Sequence, residues 1–68
     1  MTVQELIEYL SRYSNDAAVI LASDAEGNGF SPLAEASLEY YVANTTYSGE
    51  LDEYGDDGDL SVVLWPVN

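Results

Sequence analysis

A single cationic side chain, Arg12, stands against thirteen Asp and Glu in 68 residues, a formal net charge of −12. One cation can neutralise at most one or two of those carboxylates within the chain. The others repel one another over a Debye length of roughly 8 Å at physiological salt, and such self-repulsion works against a compact state. A chain this short has little margin, because it buries only about 60 % of the surface that its unfolded form exposes. It has no cysteine for a disulfide or a thiolate zinc site, and no histidine as metal ligand or proton carrier. The acidity therefore serves something other than folding. Disorder is the plainest alternative, but 47 % of the residues are hydrophobic, six tyrosines and a tryptophan among them. They fall in periodic runs, which disordered segments lack. The expectation is a single folded acidic domain over residues 1–68.

The same inventory narrows the function. Ser-His-Asp and Cys-His chemistry is impossible, and without lysine so are a Walker-type phosphate loop and a Schiff base. Two carboxylates can hydrolyse a glycoside, but thirteen on a short chain pair by chance, and so small a domain seldom encloses the cleft required. We expect no enzyme activity and no cofactor. Direct nucleic-acid binding is disfavoured, since phosphate contacts need Lys and Arg. No stretch approaches the ~18 consecutive apolar residues of a membrane span. The start, Met1-Thr2-Val3-Gln4-Glu5, lacks the basic and apolar parts of a signal peptide. A cytoplasmic protein with no membrane partner follows.

Local patterns predict one helix and a small sheet. Thr2-x-x-Glu5 is a capping box, and Val3, Leu6, Ile7, Leu10 and Tyr13 recur at helical spacing. Arg12 lies four residues after Glu8, the favourable order for an ion pair. Ser14-Asn15-Asp16 ends the helix, and Ala18–Ala22 reads as a short buried strand. Residues 37–42 alternate, with Leu38, Tyr40 and Val42 on one face and Glu39 and Tyr41 on the other. Thr45-Thr46-Tyr47 extends that strand or opens another. Leu60–Trp65 is the strongest strand, stopped by Pro66. The predicted class is α+β: one N-terminal helix packed on a mostly antiparallel sheet of three or four strands.

Two acidic segments carry the functional question. Asp24, Glu26, Asn28, Gly29 and Glu35 fall at positions 1, 3, 5, 6 and 12 of a calcium-binding EF-hand loop. The flanks argue against that reading. An EF-hand needs helices on both sides, whereas Val19-Ile20-Leu21 is strand-like and Pro32 interrupts the exit. The alternative is an acidic turn between strands, with Asn28-Gly29 supplying positive φ angles. In the second segment, Glu50, Asp52, Glu53, Asp56, Asp57 and Asp59 place six carboxylates in ten residues, interrupted by Gly55 and Gly58, which predicts a mobile loop. Together with Asp24, Glu26, Glu35 and Glu39 they form a candidate surface for a basic partner. Carboxylates at i and i+2 on a strand are roughly 6.6 Å apart, similar to the phosphate spacing of a nucleic-acid strand. Tyr41, Tyr47 and Tyr54 add flat area suited to an interface. The plainer readings are a solubilising loop or the surface of a salt-adapted protein.

The segments Met1–Ile7, Ser23–Leu33, Ser48-Gly49-Glu50 and Val62–Asn68 resemble those of a family of small acidic proteins carried by phages and prophages. In size and charge the chain is also similar to DNA-mimicking anti-defence proteins, including small inhibitors of type I CRISPR systems. The resemblance implies a protein in the cytoplasm of an infected bacterium, bound to the DNA-binding surface of a defence protein; the sequence leaves its oligomeric state open, with a monomer preferred. A CRISPR effector is the first choice, with a restriction enzyme or a uracil-DNA glycosylase next. The competing reading is a structural or calcium-binding phage module.

Overall fold

A computed structural model of the chain describes residues 1–55 and 57–67. It contains one short helix and four strands in a mostly antiparallel sheet, the α+β class that the sequence predicts. The chain divides into two compact units, residues 1–33 with 66–68, and residues 34–65.

In the first unit, α1 spans Val3–Leu10 and opens on the capping box. The Thr2 hydroxyl accepts from the Glu5 amide at 3.1 Å, and the Glu5 carboxylate accepts from the Thr2 amide at 3.0 Å. The helix stops before Tyr13, contrary to the spacing. The amides of Arg12 and Tyr13 bond three residues back, to Tyr9 and Leu10, and the Ser11 hydroxyl donates to the Glu8 carbonyl at 2.7 Å. A serine that takes a backbone carbonyl in this way competes with continuation of the helix. Arg12 does not pair with Glu8 either. Its guanidinium lies 5.0 Å over the Tyr9 ring, while the Glu8 carboxylate accepts from the Gln4 side chain.

The first strand, β1, is Ile20–Ala22, shorter than the apolar run and not buried. It pairs antiparallel with β2, Phe30–Ala43, placing Ile20 opposite Pro32 and Ala22 opposite Phe30. Proline fits there because Leu33 supplies the amide bonded to the Val19 carbonyl. Pro32 offers only its carbonyl, which accepts from Val67.

The second unit holds the rest of β2, β3 (Gly49–Leu51) and β4 (Asp59–Pro66, of which Pro66 belongs to the first unit). β3 pairs antiparallel with β2, Tyr41 opposite Leu51 and Val42 opposite Glu50. Residues 44–48 form the turn between them, so Thr45-Thr46-Tyr47 is a hairpin tip and not a strand. The Asn44 and Thr45 amides both donate to the Ser48 carbonyl, and the Thr45 and Ser48 hydroxyls meet at 2.7 Å. Among the described residues β4 pairs with β2 alone. Its Trp65 indole N–H donates to the Ser37 hydroxyl at 2.7 Å, so Trp65 and Ser37 share a face.

Among the described residues none is buried, neither apolar nor polar. Alternation survives in weaker form. Ser37, Glu39 and Tyr41 of β2 and Ser61 and Val63 of β4 are half-buried. Leu38, Tyr40, Leu60, Val62 and Leu64 are exposed, Leu38 by 64 %.

Candidate partner-binding surface

The two acidic segments use the same local device. In Asp24-Ala25-Glu26-Gly27, one Asp24 carboxylate oxygen accepts from the amide two residues on, Glu26, at 3.0 Å. Gly27 then takes φ +73°. In Asp52-Glu53-Tyr54-Gly55, one Asp52 oxygen accepts from the Tyr54 amide at 3.0 Å, and Gly55 takes φ +72°. A carboxylate bonded two residues ahead closes an Asx turn, and the left-handed residue after it is held by glycine because it has no Cβ. The positive φ sits on Gly27, so the expectation that Asn28-Gly29 supplies it is corrected.

The loops then diverge. Asn28 closes the first: its amide donates to Asp24 at 3.2 Å and its side-chain NH₂ to the other Asp24 oxygen at 2.9 Å. These bonds, the Asn28 side chain foremost, hold the Asp24 carboxyl below the ordinary aspartate range. The segment runs from β1 into β2, with Pro32 and Glu35 inside β2, so both flanks are strands where an EF-hand has helices. No group of three or more acidic side chains placed to hold a metal ion occurs among the described residues.

In the second loop, Asp52 reaches further. Its other oxygen accepts from the Asp57 amide at 2.9 Å, and its own amide donates to the Tyr40 carbonyl at 2.8 Å. The acidic stretch is thus anchored to β2 through one of its own carboxylates. Around that anchor Val42, Glu50, Leu51, Asp52, Glu53, Tyr54 and Asp57 line a shallow concavity of about 430 Å³. The side chains of Glu50, Glu53 and Asp57 are exposed, and Tyr54 stands at the rim, 85 % exposed.

Not every predicted residue joins this surface. Asp59 is exposed at the start of β4, and Glu35 is exposed and Glu39 half-buried on β2, all outside the concavity. Asp24 and Glu26 belong to the first unit. Asp56 lies outside the described residues. The tyrosines separate by environment. Tyr47 is 90 % exposed at the hairpin tip, whereas Tyr41 is half-buried opposite Leu51. Tyr40, not assigned to the surface from sequence, packs its ring beside Gly55, close enough that a Cβ there would lie 3.0 Å from it. The repeated Asp-x-x-Gly spacing was the available signal for both anchors.

No protein-family model, no curated protein and no solved structure matches this chain. No helix among the described residues is long and apolar enough to cross a membrane.

Proposed function

We propose that the chain is a binding module that presents Glu50, Glu53 and Asp57, with Tyr54 and Tyr47, to a basic protein surface built to grip nucleic-acid phosphates. The observation that carries this reading is the clustering of Glu50, Asp52, Glu53 and Asp57 around one concavity. Arg12 is the one cationic side chain of the sequence, and its guanidinium lies over the Tyr9 ring. Carboxylates clustered beside an exposed aromatic offer negative charge and flat area of the kind that a nucleic-acid strand presents. Asp52 takes a different part. It shapes the loop that holds the other three.

The finer reading is an anti-defence inhibitor acting in the cytoplasm of an infected bacterium. It would occupy the DNA-binding surface of a type I CRISPR effector, or else of a restriction enzyme or DNA glycosylase. Charge, size and the resemblance to phage-borne acidic proteins support it. The test is competition: purified effector is titrated with the protein in the presence of its DNA duplex, at rising salt. DNA should be displaced, and affinity for the protein should fall at least about tenfold between roughly 50 and 200 mM salt. Binding that leaves DNA in place, or that is flat in salt, points instead to an apolar interface.

A further inference from the structure

We propose that β4 is a self-association edge, pairing antiparallel with β4 of a second copy about a two-fold axis near Val62. β4 has eight residues and, among the described residues, pairs with β2 alone, whereas β1 and β3 have three each. A long edge strand carries a row of unpaired N–H and C=O groups, and natural edges are usually kept short, charged or covered. β4 is long, and its one charged residue is Asp59, at its start. Leu60–Pro66 bears no charge in a chain with thirteen carboxylates. Leu60 is 60 % and Val62 46 % exposed.

The occupant follows from charge and register. A basic partner would seek carboxylates, which this strand lacks beyond Asp59, and a chain of net charge −12 can approach its own copy only where charge is absent. With the axis at Val62, antiparallel pairing sets Leu60 opposite Leu64 of the second copy and Asp59 opposite its Trp65. No carboxylate then meets another. Parallel pairing would set Asp59 against Asp59, which is destabilising. A two-fold arrangement also uses the same patch on both copies and closes at two. The paired strands would cover Leu60, Val62 and Leu64, which one copy leaves exposed.

The test is sedimentation of the full chain from about 5 to 500 µM, at low and at high salt, with hydrogen exchange read along β4. The expected result is a species of twice 7.4 kDa. It should tighten at least about threefold at high salt, because screening relieves repulsion between the copies. Alternate amides between Asp59 and Trp65 should gain protection as concentration rises. Val62→Glu, which would set two carboxylates face to face, should give a folded monomer by circular dichroism. A 7.4 kDa species throughout, assemblies larger than two, or β4 exchange independent of concentration would each overturn the proposal. The exchange readout on the unaltered chain decides the matter even if the variant does not fold.

Discussion

The Asp24–Gly29 and Asp52–Gly58 loops begin alike and end in different chemistry. Each opens on an Asp that bonds the amide two residues on, and each turns on a left-handed glycine at the third. In the first, Asn28 returns both an amide and a side-chain NH₂ to the anchor, so the loop is complete within itself and shows one further acid, Glu26. In the second, the anchor reaches Asp57 and ties back to Tyr40, leaving Glu50, Glu53 and Asp57 around an open concavity. Negative charge therefore has two uses in this molecule. One carboxylate in each loop is an internal acceptor for amides; Glu26, Glu53 and Asp57 are exposed.

The sharpest way to break that division is to neutralise the outward set. Glu50→Gln, Glu53→Gln and Asp57→Asn together should weaken partner binding by at least about a hundredfold, since interfacial charge pairs can each couple by ~1.5 kcal/mol or more. Glu26→Gln in the other loop should change it less than about threefold. The triple variant should melt no lower than the parent, because it relieves self-repulsion. Equal losses from both loops, measured by calorimetric titration, would show that the loops do not differ in use.

The anchors should behave oppositely. Asp52→Asn leaves one of the Tyr54 and Asp57 amides without its acceptor and should cost about 1 kcal/mol in urea unfolding. Asp57→Asn, whose backbone amide is what bonds, should cost nothing measurable.

Acid should separate the two uses by sign. Asp24 titrates below its ordinary 3.8 when folded. Its contribution to stability is therefore present above that value and lost as pH falls through the folded value. Glu5, held low by its bonds with Thr2, acts in the same direction below its ordinary 4.5. Relief of net repulsion acts the other way, stabilising the fold as pH falls from neutrality. Melting temperature should rise from pH 7 to a maximum near about pH 4.5 and drop below about pH 3.5. Asp24→Ala should flatten that acid limb. A curve that declines steadily from pH 7 would mean that repulsion matters little here.

The smallest effect expected is that of calcium. Millimolar calcium should shift the melting temperature no more than magnesium does, because Asp24 already accepts from Glu26 and Asn28. A calcium-selective rise lost on Glu35→Gln would restore the ion-binding reading of the first loop.

What could be read beforehand was what is local. The Thr2–Glu5 capping box needs only residues three apart, and it forms as written. The strand at residues 60–65 and the α+β class follow from hydrophobic patterning in the same way. The length of β2 was not legible, because Pro32 reads as a breaker until its missing N–H is seen to be unneeded by β1. Helical spacing runs through to Tyr13 and does not show that the Ser11 hydroxyl takes the Glu8 carbonyl. At the site, composition gave the carboxylates without ranking them. Asp52 looks like any other member of an acidic run, and its bonds to Tyr54, Asp57 and Tyr40 distinguish it.

Gly58 bears on how such a surface could change over generations. A Cβ placed there would lie 2.8 Å from the main chain of Tyr40, so no side chain enters without moving β2. Gly55 is held by its φ and by the Tyr40 ring, and Asp52 by the amides that it accepts. Glu53, Tyr54 and Asp57 are under no such restraint from their exposed side chains. If the proposed basic partner altered its groove, substitutions at these three positions alone could follow it. Variation in a mutational library selected for binding should concentrate there, while positions 52, 55 and 58 stay fixed.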